Sequence, residues 1–348
     1  MRRTILVLAL AVLTATSGGW PAGVVAQQRQ APPVEVPPPP APPEPDEQPP
    51  APAQKGQDDD TVQLGTELVN VPFNVNDKKN KHITDILKEE VVVLEDGVAQ
   101  EVFSFERQLD APLTIALLID TSGSQELTIG AEREAAYRFF QKVLRPQKDV
   151  ACVISFAKEV TLEQSLTSSL ESLTASLDRV RVSPSSGFGR GGTAPTNPQA
   201  GGTSLHDAVF LASDDVLRRE AGRRVVILLT DGFDTTSAYK TEAAIERAWR
   251  SEVIVYSIGI GYGGVADGVL NKYAKETGGR VFVPRGTDDL DRAFAEIEND
   301  LRQQYIVSYS PTNAKRDGTF RKIELRLASE LRKDLRLRHR RGYYAPVK

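Results

Sequence analysis

Five oxygen-bearing side chains in this sequence have the types and spacing to hold a metal ion. Three lie in "LLIDTSGSQ", where the apolar run from Ala116 to Ile119 meets Asp120, and the hydroxyls of Ser122 and Ser124 follow at alternate positions. The fourth is Thr203, in "GGTSLHDA", and the fifth is Asp231, at the end of the apolar run in "ILLTDGFD". Two carboxylates and three hydroxyls, without a thiolate or imidazole, make a hard oxygen donor set. Such a set suits octahedral magnesium, or manganese, rather than zinc or copper. Singly, each residue has an ordinary explanation, since Ser and Thr cap helices and Asp-Gly makes turns. Their order favours the joint reading: two groups end apolar strands, and between them in sequence Thr203 opens a helix.

That reading requires elements that bring the three segments together. From Leu113 onward the hydrophobic pattern alternates between strands and amphipathic helices. Strands are expected at 113–119, 149–156, 224–230, 252–258 and 280–283, and helices at 125–143, 203–219, 240–250, 265–277 and 287–302. This order predicts an α/β fold, a Rossmann-like, doubly wound and mostly parallel sheet with helices on both faces. In such a sheet the loops at the strand carboxyl ends converge where the strand order reverses.

The flanks have period two instead. Val69, Val71, Phe73 and Val75 alternate with Asn70, Pro72 and Asn74, and Pro72 suggests an edge strand. "VVVLEDGVAQEVFSF" reads as two strands turning at Asp96-Gly97. After Arg302, the runs around Tyr305 to Tyr309 and Ile323 to Leu327 alternate too, and "LRLRHRRGYY" supplies a third strand, with leucines inward and Arg336, Arg338 and Arg340 in water. Neither flank is large enough for its own core. A β-sandwich built from both flanks, with the α/β unit inserted, is therefore expected, and two separate small β units are the competing arrangement.

The chain opens with Arg2 and Arg3, an apolar stretch from Ile5 to Leu13, and small residues up to Ala26. This has the make-up of a cleaved signal peptide, which implies export to the periplasm or medium. Residues 27–60 are dominated by proline and read as a disordered, semi-rigid linker. The expected organisation is thus a signal peptide over 1–26, a linker over 27–60, the amino-terminal sandwich strands over 61–110, the α/β unit over 111–302 and the carboxyl-terminal sandwich strands over 303–348. No segment of the mature chain is long and apolar enough to span a membrane. Cys152 is the only cysteine, which excludes an internal disulfide. With 43 basic and 47 acidic residues, the bulk charge gives no sign of nucleic-acid binding.

The stretches "DTSGS", "GGTSLHDA" and "LLTDG" resemble the metal-ion-dependent adhesion site of von Willebrand factor A (VWA) domains, over residues 113 to 300. The flanks are similar to those of exported bacterial VWFA-related proteins. The resemblance implies direct metal contacts from Ser122 and Ser124 and a direct or water-bridged contact from Thr203. Asp120 and Asp231 would act through water or by holding the serines. It also implies an open coordination position for an Asp or Glu carboxylate of a protein partner, and no catalysis. The residues 184–202 lengthen the approach to Thr203 and include a second Gly-Gly-Thr ending at Thr193, but Ala-Pro follows Thr193, whereas Thr203 opens a helical pattern.

Other motifs fall short of sites. "GIGYGG" at 259–264 matches a dinucleotide fingerprint but follows a late strand, and no acidic residue ends the next one. A metal-dependent hydrolase would need a general base, and near the motif loops only His206 offers one. A structural reading, in which the sandwich assembles with other proteins and the metal only braces loops, is the remaining alternative.

Overall fold

The structure is a computed structural model that describes residues 68–183, 202–261, 263–328, 332 and 334–347. The expected signal peptide and linker lie outside the described residues, as does Thr193. In chain order the elements begin with strands β1 (Val69–Asn76), β2 (Val91–Glu95), β3 (Val98–Gln100) and β4 (Val102–Gln108). The central region runs β5 (Leu113–Asp120), α1 (Ile129–Val143), β6 (Val150–Phe156), β7 (Val160–Thr167), α2 (Leu170–Arg179), α3 (Leu205–Leu211), β8 (Arg223–Thr230), α4 (Thr241–Arg250), β9 (Val253–Gly259), α5 (Asp267–Thr277), β10 (Val281–Phe282) and α6 (Thr287–Arg302). The chain closes with β11 (Gln304–Tyr309), β12 (Phe320–Leu327), β13 (Arg336–His339) and β14 (Gly342–Tyr344).

The central sheet has the order β10-β9-β8-β5-β6-β7. All neighbours are parallel except β7, which runs antiparallel to β6 at one edge. Every residue of β5 is buried, because helices cover both faces. On one face, Phe139, Phe140, Leu177, Phe294 and Ile297 of α1, α2 and α6 pack on Ile115, Leu117 and Ile227. On the other, Leu205, Val209, Ile245, Leu270 and Tyr273 of α3, α4 and α5 pack on Ala116, Leu118 and Leu228. Each such fully buried aliphatic side chain contributes about 1.5–3 kcal/mol. From β5 the chain passes to β6 on one side and later returns to β8 on the other. The carboxyl ends of β5 and β8 thus flank the point where the strand order reverses.

The two flanks interleave into one sandwich. One sheet is β13-β1-β11-β4 and the other β14-β12-β2-β3, so strands from before and after the inserted unit pair directly. Val71, Phe73 and Tyr305 of one sheet and Val93, Ile323 and Leu325 of the other share a core, where Phe73 stacks on Tyr305 with ring centroids 5.4 Å apart. Two separate β units are thereby ruled out.

Several local expectations are corrected. β1 is not an edge strand, since it pairs with both β11 and β13. Pro72 is tolerated because β13 pairs only from Phe73 onward, which leaves the missing N–H without a required acceptor there. The hairpin turns at Asp96-Gly97 with both φ positive, but its second arm breaks after Gln100, so that β3 stays with β2 while β4 crosses to join β11. "LRLRHRRGYY" likewise divides between β13 and β14, in different sheets. Its arginines are not all in water, for the Arg340 side chain is 8% exposed and pairs with Glu252 at 3.0 Å. The strand β7 and helix α2 fall in a region where no element was expected.

Candidate functional site

β5 places Asp120 at the carboxyl edge of the sheet with its side chain fully buried. The Oδ1 atom accepts from the Ser122 amide at 2.8 Å, which turns the chain back toward the sheet end. The Oδ2 atom accepts from the Thr230 hydroxyl at 2.6 Å, and that hydroxyl in turn accepts from the Gly232 amide at 3.0 Å. Asp120 therefore clamps the loop after β5 to the end of β8. Burial is the largest influence on its pKa and raises it; the bonds from Ser122 and Thr230 oppose this, and the nearby Asp231 charge adds to it, giving about 6.

The hydroxyl oxygens of Ser122 and Ser124 lie 3.0 Å apart. Ser122 stands just before a 3-10 turn, Gly123–Gln125, yet makes no side-chain capping bond. The Gln125 side-chain amide bridges from Ser124 Oγ at 3.3 Å to the Ile260 carbonyl at 3.2 Å, so the serine loop is fixed to the end of β9.

Thr203 is tied in through its backbone. Its amide donates to Thr235 Oγ1 at 2.8 Å, and its carbonyl accepts from the amides of Thr235 and Thr236. The neighbouring Ser204 bonds the Ala157 carbonyl after β6 through its amide, and its hydroxyl lies 2.9 Å from Thr236 Oγ1. None of these bonds to Thr203 uses its hydroxyl, and α3 begins without a side-chain cap. Asp231 is buried; its Oδ1 accepts from the Phe233 amide at 3.1 Å and its carbonyl from the Ala266 amide. The segments carrying Asp120, Asp231 and Thr203 are thus linked through Thr230, Thr235 and Thr236. Among the described residues no direct hydrogen bond joins Thr203 to Ser122 or Ser124.

The residues fit a hard divalent cation. The 3.0 Å between the two serine oxygens is a hydrogen bond between them, and the same spacing lets both oxygens take neighbouring positions around one small cation with bonds of about 2.0–2.1 Å. Both Asp120 oxygens already accept bonds within the protein, which suits a holding role. Among the described residues no group of three or more His, Cys, Asp or Glu side chains is placed to hold a metal.

Two neighbours of the site are not evident from sequence. Gly261 packs beside it: a Cβ there would lie 2.8 Å from Asp231 Cβ and 2.7 Å from the Gly264 carbonyl oxygen, so this close approach excludes a side chain. Glu132, in the first turn of the helix that follows the serine loop, is fully buried with neither carboxyl oxygen hydrogen-bonded. Burial, opposed by the nearby Thr128 hydroxyl and reinforced by the charges of Asp120 and Asp231, pushes its pKa up to about 8. A buried carboxyl on a helix reads in sequence like any exposed Glu, so only three-dimensional packing reveals it. His206 faces elsewhere: its Nδ1 lies 2.9 Å from the Tyr273 hydroxyl and its Nε2 3.0 Å from Thr241 Oγ1.

The family model of the von Willebrand factor type A domain matches residues 114–296. Similar solved structures include proximal thread matrix protein 1 from the mussel byssus, at 19% identity and TM-score 0.45, covering 60% of this chain and 49% of that one. This chain spans about half the length of that protein, which has also been solved with a zinc-occupied MIDAS motif. BatB from Bacteroides thetaiotaomicron matches at 18% identity and TM-score 0.41, over 54% of this chain and 98% of that one. The vWF domain of the type V pili tip protein Mfa5 from Porphyromonas gingivalis matches at 12% identity and TM-score 0.42, over 55% and 95%. No curated protein matches the sequence.

Proposed function

The chain belongs to the von Willebrand factor type A domain family, and from that membership we propose that it is a divalent-cation-dependent protein-binding module, an adhesion or scaffold component of an exported bacterial protein. In this reading Ser122, Ser124 and Thr203 offer hydroxyls to magnesium or manganese, while Asp120 and Asp231 hold the loops and neutralise some of the charge. The bound ion supplies a positive centre for an Asp or Glu carboxylate of the partner. The carrying observation is that the Ser122 and Ser124 hydroxyls come within 3.0 Å of each other beside a buried carboxylate that has no basic partner among the described residues. Such a carboxylate is costly unless a cation accompanies it.

Binding without catalysis is favoured by His206. The sequence offers it as the nearest general base, but its ring nitrogens engage Tyr273 and Thr241, and burial lowers its pKa. Cleavage of the leader after Ala26 and a spacer over 27–60 would place the module outside the cytoplasm; among the described residues no helix is long and apolar enough to cross a membrane. A crosslinking pull-down with the full chain from its native envelope, with and without chelator and with Ser122→Ala alongside, tests the reading. A partner lost on chelation and in the variant is expected. Capture that survives both would favour assembly through the sandwich instead.

A further inference from the structure

A second charged feature lies where β12 and β13 of the sandwich meet the carboxyl-terminal end of α5. A cleft of about 710 Å³ opens there, and six cationic side chains line it: Lys275, Arg280, Lys322, Arg336, Arg338 and Arg341. The deeper ones are partly balanced. Arg280 pairs with Glu296 at 2.6 Å and with Asp300 at 3.4 Å, Arg338 reaches Asp300 at 3.5 Å, and Arg341 reaches Glu276 at 3.5 Å. The one lining carboxylate, Glu324, is engaged by Arg326 at 2.7 Å. Lys275, Lys322 and Arg336 are exposed and have no ion pair among the described residues.

This excess stands out on a chain whose formal net charge is −4. Gathering like charges in a concavity costs repulsion, and the low-dielectric walls focus the field onto whatever enters. The walls are also fixed. Gly278, at φ +89°, lets α5 end against β13, where a Cβ would lie 2.7 Å from the His339 carbonyl carbon. The backbone of the cleft is therefore fixed, and Arg280, Arg338 and Arg341 are held by their ion pairs, so only the three exposed cations must be ordered on binding.

We propose that this cleft binds a phosphate-bearing ligand. Guanidinium forks match phosphate oxygens two at a time, and the two lysines add point charges at the rim. A ligand with several anionic oxygens satisfies more of the unpaired cations than a single carboxylate does. A free phosphate compound and a lipid headgroup present the same chemistry, and the experiment separates them.

Calorimetric titration of the full chain with pyrophosphate, at low ionic strength and in EDTA so that the metal site does not contribute, is compared with cosedimentation on phosphatidylglycerol vesicles. The triple variant Lys275→Ala, Lys322→Ala, Arg336→Ala removes no ion pair seen among the described residues, and circular dichroism checks its fold; Lys322→Glu alone provides a second readout. Pyrophosphate binding that weakens about tenfold or more in these variants supports a free ligand. Vesicle binding alone, lost in the same variants, supports a headgroup. Absence of both, or binding that the variants leave unchanged, overturns the proposal.

Discussion

Asp120 and Asp149 are the same residue type, both fully buried at ends of strands in one sheet, yet their surroundings push them in opposite directions. Asp149, at the amino-terminal end of the sheet, accepts from Arg145 Nε at 2.8 Å, Arg302 Nη2 at 2.6 Å and the Leu113 amide at 2.8 Å. Burial works to raise its pKa, but the bonds from Arg145 and Arg302 outweigh it and hold the carboxyl well below the usual range. Asp120, at the carboxyl end, has only hydroxyl and amide donors among the described residues, and burial prevails. One end of the sheet is complete as folded. The other keeps a buried carboxylate that has no basic partner among the described residues.

The largest break in this contrast is expected at the complete end. Asp149→Ala leaves Arg145 and Arg302 facing each other without their carboxylate, and should cost about 3–5 kcal/mol in denaturant unfolding. Near the candidate site the sign reverses. Glu132 holds its proton up to about pH 8 when folded, against an ordinary glutamate value of 4.5. The unfolded chain releases that proton first, so its contribution falls as pH rises between those values. Asp149 behaves in the opposite sense, since its contribution is present above its unfolded value of 3.8 and is lost only as pH falls. Glu132→Gln should therefore gain on the wild type by about 1–3 kcal/mol between pH 5 and pH 8, read from paired unfolding curves.

The contrast extends to the ion. Because Asp120 takes up a proton as pH falls through about 6, magnesium affinity should drop by up to about tenfold per unit below that point, measured by calorimetry across a pH series. At the small end, Lys272 and Glu242 form an exposed pair at 2.5 Å. Lys272→Ala should change stability by less than about 0.5 kcal/mol after solvent screening, which sets the background for the other comparisons.

Sequence patterns carried the inner architecture well. β5, β8 and β9 are apolar almost throughout because helices cover both faces, and a continuous Val, Ile and Leu run has few other outcomes. The edge was harder. "VTLEQSLT" forms β7 with only partial burial and shows no clean alternation, whereas α2, started by the Ser169 cap at 3.2 Å, does carry a helical stripe of Leu170, Leu173 and Leu177, in a stretch where no helix was expected. The predicted helix at 203–219 is α3 followed by a π-helical turn at Ala212–Leu217, a change of period that composition does not announce. Arg338 and Arg340 look solvent-facing by alternation, but their partners Asp300 and Glu252 come from the inserted unit, far away in sequence, whereas Arg336 is exposed as the alternation suggests. At the candidate site, Asp120, Ser122, Ser124, Thr203 and Asp231 could be named from motif order. Thr230, which bridges two of the segments, and the buried Glu132 needed the packed structure.

The central claim is that the buried carboxylate without a cationic partner prepares a place for a divalent ion. Titrating magnesium into the full chain and into Asp120→Ala, with Asp300→Asn as a buried-carboxylate control away from the site, tests it most directly. One ion per chain in the wild type and the control, with binding lost in Asp120→Ala, is the expected result. No binding by the wild type, or equal binding by Asp120→Ala, would contradict the account.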